Sequence, residues 1–420
     1  MGSGLLLSWF LEFSSGFYTT FLTEIQEKFS LDIPFLKSGD PYGIWAHGKK
    51  VATSEDVTSA PGVMSCNYLC QHCLVHLGDV ARYRNQMSQA ETFYRHAISL
   101  APGSGQPYNQ IAILEAARGN KLSSVYFYVR AICLKYPFPA ASTNLAKMLT
   151  KLAGFEWDKP GRVTKQLFVP LFLKLHGLLH HAEKLRQAVK ISNSLAESLT
   201  SLVVSDSLST WQLLQVININ MWAYHQVTSE QEHHGHFSKE ERLVSGVVAG
   251  LQAALLSSCL LPVYTMQQGT QLLDYFALPA VRILLEWVQC QPLVLRERGF
   301  TTRPQIWPGL ARLLNEVRPL IAEFDSSRLK DYPLPEDYDM QAFTPLQTLL
   351  ARYNMKQVLK GETLDKDSLA RLRCARMVNI GLALSRQSPA VISFSEDTNT
   401  FRTPPCSVPT RTLCQENNEV

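Results

Sequence analysis

A chain of 420 residues is long enough for two or three domains and a large core. Hydrophobic residues make up 46% and charged residues 18%, which excludes a disordered chain. Forty Lys and Arg against 36 Asp and Glu leave a formal charge of +4, too balanced for a coat on nucleic acid or an anionic membrane. The cysteine count, nine, is odd for a disulfide framework and fits buried thiols in a reducing compartment.

Met1 to Leu7 carries no basic cluster and Glu12 interrupts the apolar start, so no cleaved signal peptide is expected. Gly2 lacks the Ser or Thr that a myristoylation pattern needs, because residue six is Leu6. Phe10, Phe13, Phe17 and Phe21 recur at steps of three or four and predict a helix with these rings in the core. Lys49 to Val63 is predicted as a loop. From Asn67 onward apolar residues keep helical spacing, broken by short Gly/Pro/Asn punctuation, and strand signals are scarce. The reading is all-α.

An internal repeat gives the most information. Leu77-Gly78 is followed by Ala90, Tyr94, Ala97 and Pro102 at tetratricopeptide (TPR) spacing. Stepping on by about 34 residues, the TPR period, meets Ile111-Ala112, Ser124, Tyr128 and Ala131, and a further step meets Leu145. Small residues at Ala90, Ala97 and Ala131 let paired helices approach closely, and the tyrosines fill the wedge between them.

Three other segments raise chemistry that the pattern does not sustain. Cys66, Cys70 and Cys73, near His72 and His76, fall on one helical face without a second ligand pair, which predicts core thiols and no metal site. His233-His234-Gly235-His236 reads as a solvated polar loop, and Gly103-Ser104-Gly105 as a turn. No charge occurs between Arg242 and Asp274, and Gly246 and Gly250 form a G-x-x-x-G match. Gln252, Ser257, Ser258 and Pro262 dilute that run, so a buried helix is expected there and no membrane span. No motif of a hydrolase, metalloprotease or nuclease appears, so no enzymatic activity and no cofactor are expected.

In a TPR stack the first helix of each pair lines a groove where partners dock. Arg82, with Tyr83, falls on the first such helix, Asn109 and Gln110 on the second, and Asn144 and Lys147 on the third. Arginine can grip a phosphate bidentately and asparagine can pair with both polar groups of an extended peptide, which makes a phosphopeptide clamp. The alternative is structural: Arg82 paired with Asp79, and the asparagines capping helices.

Gly78-Asp79-x-x-Arg82-Tyr83 resembles the phosphate-binding stretch of 14-3-3 proteins. The run from Cys70 through Gln86, Gly105-Gln106-Pro107-Tyr108-Asn109-Gln110, and Tyr136 to Leu145 resemble the Ever-Shorter-Telomeres-1-like adaptors of nonsense-mediated mRNA decay. Weaker likeness continues at Pro279-Ala280-Val281, Ile306-Trp307-Pro308 and Pro333-Leu334-Pro335-Glu336.

The resemblance implies an all-α fold in which a 14-3-3-like TPR domain (1–155) precedes a helical-hairpin domain (156–392), with 393–420 a disordered tail. It implies phosphoserine recognition of the phosphorylated up-frameshift RNA helicase, with Arg82 as the phosphate-contacting arginine. A related family member is implied as a heterodimer partner, in the cytoplasm with shuttling to the nucleus; neither nucleic acid nor membrane is expected to be bound directly. The family carries further helices ahead of the Phe10 segment, one with a second basic phosphate ligand that has no counterpart here, so the first domain is expected to be truncated. It also carries a long C-terminal region that contacts decay factors, and the tail from Pro404 to Val420 does not match it.

Overall fold

A computed structural model describes residues 2–31, 33, 62–157, 162–234, 237–266, 269–355, 357, 363–387 and 390–403. The chain is 74% helical, as the apolar spacing predicts. Most of the expected loop from Lys49 to Val63 lies outside the described residues, as do positions 235–236 of the histidine cluster; His233 and His234 end a helix rather than a loop.

Long helix α1 (Gly2–Lys28) packs on α2 (Val63–Tyr83), which pairs with α3 (Met87–Leu100). Next come the pair α4 (Gly105–Ala117) and α5 (Lys121–Ile132), then α6 (Pro139–Ala153) against α7 (Lys165–His180). The repeat is visible at atomic level. Ala90, Ala97, Ala131 and Tyr94 have no exposed surface, and a Cβ added at Gly78 would stand 2.3 Å from Cε1 of Tyr94. Gly78 therefore sets how close α2 and α3 come.

The turns repeat as well. Asn85 after α2 and Gly119 after α4 both adopt a left-handed backbone, at φ 62° and 81°. Each closes its helix with a reversed pair of bonds: Gln86 N–H to the Ala81 carbonyl, and Asn120 N–H to the Glu115 carbonyl. Asparagine and glycine are the residues that enter this region at least cost.

Helix α1 corrects one expectation. Phe10, Phe13, Phe17 and Phe21 are 61%, 65%, 54% and 38% exposed, so the aromatic stripe is on the surface. The face turned inward carries Leu11, Ser15, Thr19, Leu22 and Ile25. Leucine, isoleucine and small hydroxyl residues let α1 lie close to α2, and four rings on that face would hold the helices apart. Both faces have helical period, and periodicity alone does not say which one meets the core.

The second half packs α8 (Leu185–Val204), α9 (Thr210–His234) and α10 (Lys239–Leu260) together, followed by α11 (Leu278–Cys290), the short α12 (Arg298–Thr301) and α13 (Ile306–Val317). Two further short helices, α14 (Pro335–Asp339) and α15 (Gln347–Leu350), lead to α16 (Lys366–Ser385). The segment Lys239–Tyr264 is long and apolar enough for a membrane span, its most apolar 18-residue window having mean hydropathy 1.8, yet 72% of that window is buried inside the protein. Gly250 explains one small residue there: a Cβ on Gly299 of α12 would come within 2.5 Å of its Cα. The uncharged stretch is a core helix whose glycine admits a neighbouring backbone.

A cluster of charges ties α11, α14 and α16 together. Arg282, fully buried, reaches Glu286 at 2.6 Å, Glu336 at 3.1 Å and Asp337 at 2.5 Å. Arg373 binds Glu336 at 2.6 Å and Arg376 binds Asp337 at 2.8 Å. Three guanidinium groups answer three carboxylates, which is the condition for tolerating such charge away from water.

The expected disordered tail is ordered over its first ten residues. Ser393–Ser395 and Thr400–Arg402 form a two-stranded antiparallel hairpin, and Phe401 is 2% exposed. Asn315 of α13 donates to the Phe401 carbonyl at 2.9 Å and accepts from its N–H at 2.8 Å. Phe394 and Phe401, 4.8 Å apart, provide the anchors that the Ser/Thr-rich composition obscures. Residues 404–420 lie outside the described residues.

Candidate functional site: a polar ladder across three helices

The first helices of the three successive pairs, α2, α4 and α6, bring the predicted residues into one hydrogen-bonded line. Asp79 of α2 is its centre. Its Oδ1 accepts from the Tyr94 hydroxyl at 2.8 Å and from the Gln110 amide, and lies 3.4 Å from Nη2 of Arg82. Asn109 donates to Gln110 Oε1 at 3.2 Å, and Asn144 donates to Asn109 Oδ1 at 3.1 Å. Spacing about one repeat apart on equivalent helices puts these side chains on neighbouring rungs.

Arg82 is held but not consumed. Its link to Asp79 is the longest of that carboxylate's contacts through Oδ1, and its side chain keeps 22% exposure. Its Nε is buried without a hydrogen-bond partner, and the guanidinium carbon lies 4.6 Å from the centre of the Tyr83 ring, which is 65% exposed. Burial alone lowers an arginine pKa, but Tyr94, Tyr83 and Asp79 outweigh it and hold Arg82 above its ordinary value. A fixed, partly exposed guanidinium backed by an aromatic face has the chemistry to take an anion. Arg84 points elsewhere, with Nη2 3.8 Å from Glu12 of α1.

The two asparagines differ in what they offer. Asn109 is 3% exposed and already bonded on both its oxygen and its nitrogen, so it is an interior rung. Asn144 is half-buried and Lys147, one turn on, is exposed. Neither asparagine caps a helix, since both lie inside α4 and α6. One residue of the line escaped sequence reasoning. His76 places Nδ1 4.0 Å from Asp79, its Nε2 3.1 Å from His72, and its ring against Tyr18 of α1 at 4.7 Å. Burial and His72 together lower its pKa. Its spacing of three from Asp79 was the available signal.

The cysteines near these histidines belong to the core. Cys66, Cys70 and Cys73 are buried, and burial pushes the thiols of Cys70 and Cys73 up to about 12 and about 11. Thiols held protonated at neutral pH are poor metal ligands. Among the described residues no group of three His, Cys, Asp or Glu side chains is placed to hold a metal ion.

A stack of paired helices with almost no strand defines the class: an all-α fold of the 14-3-3-like kind. Family comparison then places it. Residues 5–88 match the family model "Telomerase activating protein Est1", and residues 90–350 match "Est1 DNA/RNA binding domain". The chain belongs to the Est1 family. It is 35% identical over 390 residues to the nonsense-mediated mRNA decay factor SMG7 of Danio rerio, covering 92% of this chain and 32% of that protein. It is 24% identical over 428 residues to SMG7 of Arabidopsis thaliana, covering 81% of this chain and 39% of that protein. The chain thus spans about a third of the length of these relatives. Among solved structures, the crystal structure of Est1 and Cdc13 is similar in fold, with a TM-score of 0.58 at 15% identity over 82% of this chain and 73% of that one.

Proposed function

We propose that this chain is a phosphoserine-binding adaptor of nonsense-mediated mRNA decay that recognises the phosphorylated up-frameshift RNA helicase through Arg82. The observation that carries the reading is the ladder itself: one partly exposed guanidinium, fixed against Tyr83 and Asp79, joined through Gln110 and Asn109 to the half-buried Asn144. A phosphate brings oxygens that complement a guanidinium, and Asn144 and Lys147 flank the path of the peptide. The adaptor is non-catalytic and acts by tethering. Contact is with protein rather than RNA, because 40 basic and 36 acidic residues leave little net charge to hold a polyanion.

One observation favours a second reading. Asp79 already supplies Arg82 with an internal carboxylate, as in a structural pair, and a generic scaffold for unphosphorylated peptides needs no more. The experiment titrates phosphorylated and unphosphorylated helicase peptides, with single-stranded RNA as a further arm, against the chain and its Arg82→Glu variant. Selective binding of the phosphopeptide, lost in the variant, supports the adaptor; equal binding of both peptides favours the scaffold.

A related family member is proposed as a partner, docking on the exposed aromatic stripe of α1. Exposed phenylalanines at helical spacing beside polar residues have the composition of a docking face.

A further inference from the structure

A second site lies in the other half of the molecule, between α7, α9 and the start of α10. A cleft of about 250 Å³ is lined there by His176, His180, Trp222, Val227, Glu240 and Val244. His176 and Trp222 are 1% and 3% exposed, and the Nδ1 of one and the Nε1 of the other have no hydrogen-bond partner. Buried polar atoms are rarely left unmatched, because each forfeits its bond to water.

The hydrogen atoms on these groups follow from a chain of donations that starts at a fixed acceptor. The Ile217 carbonyl can only accept, so Gln252 offers it Nε2 at 3.2 Å. Gln252 Oε1 then accepts from Asn220 Nδ2 at 3.2 Å, which leaves Asn220 Oδ1 to face His176 Nε2 at 3.0 Å. That imidazole nitrogen must donate, and Nδ1 must be the lone pair. Burial lowers the His176 pKa to about 4, so this tautomer persists at neutral pH. Two residues that line the cleft therefore carry unmatched buried atoms: an acceptor, His176 Nδ1, and a donor, the Trp222 indole N–H.

A hydroxyl is the group whose chemistry answers both, since it can donate to an imidazole nitrogen and accept from an indole N–H. Val227, Val244 and the rings of His180 and Trp222, 6.0 Å apart, surround it with apolar and aromatic surface suited to a flat ring. The volume is smaller than the roughly 300–1,000 Å³ of drug-sized sites, so it suits one side chain rather than a metabolite. Glu240 adds negative charge to the lining. We propose that this cleft receives a tyrosine side chain of a partner segment in which a lysine or arginine adjoins the tyrosine. The site is independent of Arg82.

The test uses the full chain, p-cresol as the probe, and toluene as the same shape without the hydroxyl. p-Cresol should shift the Trp222 indole N–H resonance saturably, and toluene should bind at least about tenfold more weakly. Trp222→Phe keeps a ring and removes the donor, so the advantage of p-cresol should shrink towards unity; Arg82→Glu should leave it unchanged. A Lys-Tyr-Lys peptide should bind more tightly than Lys-Phe-Lys and Glu-Tyr-Glu. Equal effects of p-cresol and toluene overturn the proposal, and so does a water signal at the indole N–H that p-cresol never displaces. These two results come from the unaltered chain, so they decide the matter even if Trp222→Phe fails to fold. Binding of p-cresol with no preference for the basic tyrosine peptide overturns the assignment to a partner segment.

Discussion

The Arg82 guanidinium stands 3.4 Å from the Asp79 carboxylate one turn earlier on α2, while the Tyr94 hydroxyl reaches the same oxygen at 2.8 Å. Asp79 thus has a tighter partner than Arg82, and the Arg82 side chain keeps 22% exposure. Arg82→Ala is expected to weaken phosphopeptide binding by roughly ten- to a hundredfold, since a hydrogen bond to a charged group contributes about 1.5–3 kcal/mol. Arg82→Glu should abolish it. Arg84→Ala, which loses only an exposed contact with Glu12, should change it little. Fluorescence anisotropy of a labelled phosphopeptide gives all three values, and comparable losses at Arg82 and Arg84 would count against a dedicated phosphate contact.

Asp79 is expected to matter for the fold as well as the site. Asp79→Ala removes the acceptor of the buried Tyr94 hydroxyl and of Gln110, and should cost about 1–3 kcal/mol. Gly78→Ala should cost a similar amount by overpacking, because its Cβ meets the Tyr94 ring. Urea unfolding measures both. Combining Gly78→Ala with Tyr94→Leu should recover part of the loss, as expected for two groups competing for one space.

The aromatic stripe on α1 separates stability from association. Phe13→Ser with Phe17→Ser is expected to shift unfolding by no more than about 0.5 kcal/mol per site, since both rings are more than half exposed. The same change should abolish co-elution with a related family member in light-scattering chromatography. A large loss of stability would instead return the stripe to the core.

His176 is expected to remain neutral well below the pH at which a free histidine charges. Burial depresses its pKa from 6.5 to about 4, with Asn220 opposing and His180 adding to the shift. The unfolded chain takes up that proton first, so this group stabilises the fold fully above about pH 6.5. Its contribution falls as pH drops towards 4, by about 3 kcal/mol in all. Glu286, which burial pushes up to about 7, acts in the opposite direction over part of this range. Imidazole nitrogen shifts, which report His176 alone, are therefore the measurement; a titration midpoint near 6.5 would contradict the buried tautomer.

The buried charge cluster gives the last expectation. Arg282→Met leaves Glu286, Glu336 and Asp337 without their shared cation and should cost about 3–5 kcal/mol. Arg371→Met, on the same helix as Arg373 but with its Asp367 partner well exposed, should cost little. Thermal unfolding of the two variants provides the comparison.

How much of this could be read from residues alone varies by region. The repeat was legible because Gly78, Ala90, Tyr94 and Ala131 act through local spacing, and spacing is what a sequence displays. The ladder was half legible: Arg82, Asn109 and Asn144 fall on the first helices of successive pairs, yet only the folded structure shows that Asn109 is spent on its neighbours. The α1 stripe was misread because a helix with two apolar faces gives one periodic signal. The Phe394–Phe401 hairpin was missed since its anchor, Asn315, lies 86 residues away from Phe401. The His176 cleft was invisible for the same reason, its polar partners being spread over three helices.

The charge cluster also imposes an order of events during synthesis. Glu336 and Asp337 leave the ribosome before the arginines that neutralise them, with Arg373 37 residues later and Arg376 39 residues after Asp337. Until α16 has emerged, the carboxylates depend on Arg282 alone, and the seam between α11 and α14 carries excess negative charge in an apolar setting. A polypeptide terminated short of Arg373 would keep that excess permanently. Its second half should stay loosely closed and open to proteases.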